Sequence, residues 1–457
     1  MIQPKEQRRF AVDVVRRLRG AGFEAYWAGG CVRDQLLGRT PKDYDVATNA
    51  TPPQIRQLFG RRRTLAIGAA FGVITVIGPR PAGTVEVATF RRDAAYSDGR
   101  HPDSVTFSSA EEDASRRDFT INGLFFDPIE QRVIDFVGGQ ADLAERRIRA
   151  IGDPRQRFAE DKLRMLRAVR FAATFDFALD EEARTAIRQM AAEIRVVSPE
   201  RIAMEMRRML VDPRRAAAVR MMLETGLAAV VLPEIVPHDE PQRERFEHGL
   251  EVMSRLKDPG FPLALAALLL PGIVPTAGTD RAPTGHRPGT DRAPTGHRRA
   301  ALVGVGRRWS ALVGGGRRWS AAVCERWRLS NKETDRTVWL ATHHAALEPC
   351  RTMRWSALQP ILIAEGIGDL LALMEAASPA GAEAAHCRTL LAQPREALDP
   401  PPLVTGDDLL ALGIRPGPRY KTLLQRIRDA QLDGEIRTKD EGLALVVEGR
   451  GEIGESE

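Results

Sequence analysis

The chain has 457 residues, longer than one ordinary hydrophobic core supports, so two to four domains are expected. Lys and Arg number 67 against 61 Asp and Glu, a net charge of +6 that suits a phosphate-rich partner. Four scattered cysteines, with no Cys-x-x-Cys pair, exclude a disulfide frame or zinc site and fit reduced thiols of a cytoplasmic protein. The first 22 residues read as a charged amphipathic helix without the apolar core of a signal peptide, ending at Gly20 or Gly22. Ala264 to Leu270 is apolar but too short to span a bilayer, so no membrane contact is expected.

The next stretch, Trp27 to Val46, is the densest in chemistry. Ala25 to Ala28 reads as a short buried strand, and Gly29-Gly30 follow where a helix, Cys31 to Leu37, should begin. Glycines there let a phosphate approach the backbone, and a helix N-terminus offers it free N–H groups. Asp43-Tyr44-Asp45-Val46 reads as a second strand. Residues i and i+2 of a strand share a face, so Asp43 and Asp45 point the same way. Two adjacent carboxylates repel unless a cation sits between them, and hard oxygen ligands suit Mg²⁺. A phosphate cradle beside a metal-binding pair predicts nucleotidyl or phosphoryl transfer.

Pro52 to Phe59 reads as a helix, Phe71 to Ile77 as a strand, and Thr84 to Phe90 as another, with Glu86 on the face of Thr84 and Ala88. Residues 1–150 are thus expected to be an α/β unit with a small mixed sheet. From Asp153 the pattern turns helical. Asp161 to Thr174 and Asp180 to Glu193 are amphipathic, and Ser198-Pro199-Glu200 opens a further helix with Ser as N-cap. Helical pattern continues to about Leu270. GTDRAPTGHR then occurs twice, at 278–287 and 289–298, and ALVGVGRRWS at 301–310 is nearly repeated at 311–320. With only two copies of each a solenoid is implausible, and about 276–320 is expected to be a mobile basic insertion, or else an RNA grip through its Arg-Arg-Trp pairs. Helical pattern resumes near Ala321. The tail, about 403–447, starts a helix at Asp407-Asp408, stops it at Gly413, turns at Pro416-Gly417-Pro418, and continues as a second helix.

Gly29, Gly30, Arg33, Asp34, Asp43, Asp45 and Glu86 together resemble the signature of nucleotidyltransferases acting on polynucleotide 3′ ends. The chain is most similar to the class II CCA-adding tRNA nucleotidyltransferase and bacterial poly(A) polymerase family, through most of 20–212 and again in the tail. The resemblance implies a polymerase-β-like α/β nucleotidyltransferase head at 1–150. An all-α remainder follows: a neck at 151–230 with a base-reading helix, a body at 231–400 and an RNA-facing tail at 401–457. It also implies tRNA, CTP and ATP as partners. Asp43 and Asp45 would bridge two Mg²⁺ ions, and Glu86 would be the third catalytic carboxylate, its alternative being a glutamate in solvent. The Gly29-Gly30 backbone and Arg33 would hold the triphosphate, since a guanidinium matches phosphate oxygens bidentately.

Three further motifs carry the resemblance. Asp98-Gly99-Arg100-His101-Pro102 is similar to the family's flexible loop. Ser115 to Asn122 resembles the segment joining head to neck, which implies that Arg117 contacts the nucleotide while Asp118 and Asn122 recognise the ribose or brace the site. The family usually follows that Asn with Ala, and here it is Gly123. Glu160-Asp161-Lys162-Leu163-Arg164 matches the family's base-reading motif. On a helix Asp161 and Arg164 would be neighbours at i and i+3. A carboxylate accepts from the exocyclic amine of cytosine or adenine, and a guanidinium donates to the adjacent ring nitrogen. Uracil and guanine put a carbonyl opposite Asp161, at a cost of a few kcal/mol. Arg167 and Arg170 would serve the triphosphate or hold the reader in place. The helix from Ser198 to Leu210 matches a segment that stabilises the neck.

Some relatives carry a His-Asp phosphohydrolase module after the neck. Phe246 to His248 and Ala266 to Pro271 resemble its flanks, but Leu269-Leu270 or nearby positions stand where His-Asp would be, so no such activity is expected. His343-His344 read as ordinary helix residues. CCA addition to tRNA is the expected activity, with A-only addition or poly(A) synthesis as the alternative within the family. Gly68 to Val73 looks more like the CCA type, although enzymes adding only A or only CC share nearly all these motifs. A silent RNA-binding relative would have no need of the intact acidic and basic residues. An antibiotic-modifying nucleotidyltransferase would need the Asp pair but no base reader or tail.

Overall fold

The computed structural model describes residues 3–93, 105–273, 319–414 and 417–451. The Asp98 to Pro102 loop, Pro416 and the 276–320 repeats apart from Trp319 and Ser320 lie outside the described residues. The chain forms two compact units, Met1–Val236 and Pro237–Glu457.

In the first unit, helix α1 (Pro4–Gly20) precedes strand β1 (Ala25–Ala28), helix α2 (Gly30–Leu36), strand β2 (Asp45–Thr48) and helix α3 (Pro52–Phe59). Strands β3 (Thr64–Leu65), β4 (Val73–Ile77) and β5 (Thr84–Thr89) follow, then a separate pair, β6 (Arg91–Asp93) with β7 (Val105–Phe107). Helix α4 (Ala110–Ser115) leads to β8 (Phe125–Asp127) and β9 (Arg132–Ile134). The main sheet has seven strands in the order β3-β4-β5-β2-β1-β8-β9. Only β2 and β5 pair in parallel, so the sheet is mixed, as expected.

Two strands start later than their patterns suggest. Asp43 lies before β2, because β1 has already turned into α2 at Gly29 and offers no partner beyond the Trp27–Val46 pair. The alternation survives the loss of pairing: Asp43 is exposed while Tyr44 and Val46 are buried. Phe71 belongs to a 3-10 turn, and Gly72, at φ 82°, redirects the chain into β4. In β5 the buried residues are Val85, Val87 and Thr89, leaving Glu86 on the open face with Thr84 and Ala88.

The helical part of this unit comprises α5 (Gly139–Ala144), α6 (Pro154–Glu160), α7 (Leu163–Phe175), α8 (Glu181–Met190), α9 (Pro199–Leu210), α10 (Arg215–Glu224) and α11 (Ala228–Val231). The helix expected from Asp161 does not begin there. Asp161 is extended, at φ −145° and ψ 103°, and separates α6 from α7. The expected helix to Glu193 tightens to a 3-10 turn over Ala191–Val196. Ser198 does occupy the N-cap of α9, but its hydroxyl makes no capping bond there.

The stretches expected as head, 1–150, and neck, 151–230, fall within one compact unit, and the reason is visible where they meet. Phe119, fully buried, meets Phe171 of α7 edge-on at 5.7 Å, and Phe119 also bridges Ala150. The second unit is helical, from Glu240–Arg255 and Phe261–Ile273 to a tail with its own core of Val404, Leu409, Ile427, Ala430, Ile436 and Val446. The tail helix at Gly406–Ala411 is capped by Thr405 and Asp408, as its sequence suggests, and Gly413 takes a φ of 76° just beyond it. A third tail helix, Lys439–Gly451, was not anticipated. Among the described residues no single helix is long and apolar enough to cross a membrane.

Phe119→Ala should cost about 3–5 kcal/mol, because it opens a cavity at the seam. Thermal or denaturant unfolding measures this, and a loss below about 1 kcal/mol would mean that the seam is not a packed core.

Candidate active site

Most of the residues singled out in the sequence converge on one cleft of about 400 Å³ in the first unit. It is lined by Gly29, Gly30, Arg33, Asp45, Arg116, Arg117, Asp118, Asn122, Asp161, Arg164 and Arg167. Five arginines face three aspartates, a surplus that suits a polyanion. Glu86 is not in this cleft. It lines an adjoining hollow of about 250 Å³ together with Asp45, Arg116 and Arg117. Asp43 lines neither, and Arg170 is turned elsewhere.

Gly29 is favoured by its backbone, and a side chain there would also displace the Arg117 guanidinium. Its φ of 72° and ψ of −126° are costly for other residues, and a Cβ there would stand 2.8 Å from Nη1 of Arg117. Gly30 is under less constraint, since its Cβ would only touch Arg33 at 3.6 Å. The β2–β5 register places Asp45 opposite Glu86, so both carboxylates lie on the same face of the sheet. Burial pushes Asp45 up to about 6, helped by the Asp43 and Glu86 charges and opposed by Arg117. Cys31 lies beneath, its thiol donating to the Ala28 carbonyl at 3.4 Å, and burial pushes it up to about 12. It is structural.

The arginines are held by carboxylates behind them. Arg33 gives Nε and Nη2 to Oδ1 of Asp34 at 2.9 and 2.7 Å and Nη1 to Oδ1 of Asn122 at 2.6 Å. Its guanidinium also lies 4.5 Å from the Phe175 ring centroid. Arg117 gives Nε and Nη2 to Oδ2 of Asp113 and Nη1 to the Asn122 carbonyl. Each thus engages three of its five N–H donors, and the rest remain to serve a ligand. Asp113 was missed in the sequence, although its i+3 and i+4 spacing to Arg116 and Arg117 is the signal of a helix-end pair. Burial works to raise Asp113, but Arg117 and Arg116 lower it.

Asp118 braces rather than projects. Its Oδ2 accepts from Nε and Nη2 of Arg167 at 2.9 and 2.6 Å, and its Oδ1 accepts from Asn122 Nδ2 and the Phe119 backbone. Burial favours its neutral form, yet Arg167 and these bonds bring it down to about 2. Arg170 bonds Oε2 of Glu205 at 2.6 Å and stacks 4.1 Å from the Phe171 ring centroid. It is not among the residues lining the cleft, so the expected nucleotide contact at Arg170 gives way to a brace against α9.

The Asp161–Arg164 pair is also arranged differently from a helical i, i+3 pair. Arg164 bonds Oε2 of Glu160 at 2.5 Å and the carbonyls of Arg157 and Arg116. Asp161 accepts from the Leu163 backbone at 3.1 Å and from Nη2 of Arg201 at 2.7 Å. The break at Asp161 explains this: an extended residue does not stack over the helix that follows. Carboxylate and guanidinium still line the same cleft.

Comparison with known proteins gives the same picture. Residues 25–149 match the poly A polymerase head domain, and residues 176–238 match the domain described as "Probable RNA and SrmB- binding site of polymerase A". A CCA-adding enzyme of Geobacillus sp. (strain WCH70) is 43% identical over 224 residues, 49% of this chain and 54% of that relative. Poly(A) polymerase I of Haemophilus influenzae is 36% identical over 263 residues, 55% of this chain and 57% of that relative. The chain therefore spans little more than half the length of these two relatives. The crystal structure of the Bacillus stearothermophilus CCA-adding enzyme in complex with CTP superimposes with a TM-score of 0.67 at 26% identity, covering 100% of both chains. Residues 25–149 and 176–238 thus resemble the head and RNA-binding segments of poly(A) polymerases, about half of the chain is similar to CCA-adding enzymes, and the fold is shared with a CCA-adding enzyme.

Proposed function

We propose that the protein adds C and A nucleotides to the 3′ end of tRNA in the cytoplasm, choosing CTP and ATP without a nucleic-acid template. The carrying observation is that Asp161 and Arg164 line the same cleft as Asp45 and the arginines while each is bonded to a partner other than the other. Their remaining acceptor and donor capacity is thereby free to meet a base. Cytosine and adenine present an amine beside a ring acceptor and satisfy both. Uracil and guanine leave carbonyl facing carboxylate, a mismatch of a few kcal/mol.

The acidic groups fit a divalent cation. Asp45 is held near 6 by burial and by Asp43 and Glu86, and a cation would relieve that repulsion. Mg²⁺ keeps water and substrate phosphates in its shell, so a pair of carboxylates can serve as the protein's share of its ligands. Two Mg²⁺ ions held by Asp43 and Asp45 would favour ionisation of the attacking 3′-hydroxyl and neutralise the departing pyrophosphate. The protein's own part is positioning. Arg33 and Arg117 would draw the triphosphate against Gly29, while Glu86 lines the adjoining hollow with Asp45.

Poly(A) synthesis is the second reading, favoured by the 36% identity to poly(A) polymerase I. Purified protein, tRNA lacking its last one, two or three nucleotides, and labelled CTP or ATP decide between them. CTP should enter the two shorter ends and ATP only the end lacking one nucleotide, whereas runs of A on any end would establish the second reading.

Three variants probe the site. Asp43→Ala should abolish incorporation while leaving tRNA binding nearly intact, and surviving turnover would sink the metal assignment. Arg164→Ala should relax selection of CTP and ATP over UTP, and unchanged selectivity would remove its base-reading role. For Asp45 the native group, at about 6, keeps a proton that the unfolded chain sheds near 3.8. In chelator, stability should therefore fall as pH rises through that window, by up to about 3 kcal/mol. Asp45→Asn should lose this fall relative to the parent between pH 4.5 and 7, as read from denaturant unfolding.

A further inference from the structure

Helix α9 matches a segment expected only to stabilise the neck, yet two of its residues reach the back of the cleft. Arg201 and Glu205 are one turn apart, hence on one face of the helix. Arg201 takes Oδ2 of Asp161 at 2.7 Å. Glu205, 2% exposed, takes Arg170 at 2.6 Å and Arg167 at 3.5 Å. Neither Arg201 nor Glu205 is among the residues lining the cleft, but each holds a lining residue of opposite charge.

Asp161 is exposed to a competing attraction. It lies close enough to Arg167 to help keep that guanidinium charged, and Arg164 is on the same cleft wall. A carboxylate with nothing behind it would turn to one of these cations, since a close pair in a partly dry cleft gains more than one in water. That would spend the acceptor a base needs. The Leu163 N–H pins only Oδ1. Arg201 pins the other oxygen from the side away from the cleft, and an oxygen holding one bond keeps a second lone pair for an amine.

We infer that Arg201 is a positioning residue for nucleotide selection: its ion pair with Asp161 keeps the carboxylate off Arg164 and Arg167 and turned to the incoming base. The role rests on the base-reading function proposed above. It assigns selectivity to a residue that does not itself touch the nucleotide.

The test measures kcat/KM for CTP and UTP on tRNA lacking its last nucleotides, with thermal melts of each variant. Arg201→Met should lower the CTP-to-UTP ratio at least about tenfold, and Arg201→Lys, which restores one cation, should recover most of it. A ratio unchanged in Arg201→Met, whatever its stability, overturns the positioning role. So does a ratio that falls equally in Arg201→Lys and Arg201→Met, in step with melting temperature. Asp161→Asn and Arg164→Ala serve as controls. If both leave selection unchanged, the base-reading function fails and this role fails with it. If both relax selection while Arg201→Met does not, only the positioning role fails. In a double-mutant cycle, Arg201→Met should add little to Asp161→Asn, and full additivity would also overturn the proposal.

Discussion

The bonds from Arg167 to Asp118 are the interaction on which the site depends. They join the segment between α4 and β8 to helix α7, so two regions of separate pattern become one wall of the cleft. Asp118 is nearly buried and its charge is stabilised to about 2, while Arg167 is raised by Asp118 and Glu205 against the cost of burial. Such a pair adds little net stability, because desolvation consumes much of the Coulomb gain, but removing one partner strands a buried charge at about 3–5 kcal/mol. Its value is geometric. From it the network runs one way through Asn122 to Arg33 and Asp34, and the other through Glu205 to Arg170.

The same device recurs around the cleft. Asp113 stands behind Arg116 and Arg117, Glu160 behind Arg164, Asp34 behind Arg33, and Arg201 behind Asp161. Packing five arginines into one cleft without such partners would be self-repelling and would leave long side chains free to roam. With them, each guanidinium loses its conformational freedom before a nucleotide arrives and presents its remaining donors in a set direction. Asp45 is the exception, destabilised as a carboxylate by burial and further by its acidic neighbours.

Much of the head was legible because its signals are local. Ala25–Ala28, Pro52–Phe59 and the alternation of β5 follow from apolar patterning over a few residues. The Asp43-x-Asp45 spacing survived even where the strand did not extend to Asp43, since backbone alternation outlasts formal pairing. Asp161 was misread for a related reason. Apolar periodicity runs through the α6–α7 junction, and nothing in the spacing reveals that one residue there is extended. For Arg170 the sequence left two roles open, triphosphate contact or brace, because an arginine one turn along a helix has no label saying whether it faces ligand or protein; its bond to Glu205 is that of a brace.

The amino-acid sequence by itself determined the chemistry available: two aspartates two apart, glycines before a helix, and a carboxylate and guanidinium three apart. Local steric and periodic rules are enough to read these. Tertiary structure alone decided which charge meets which. Asp118 and Arg167 are 49 residues apart, and Asp161 and Arg201 are 40 apart. Ion pairing at such separations depends on how helices pack, and opposite charges are too numerous in this chain for composition to choose among them.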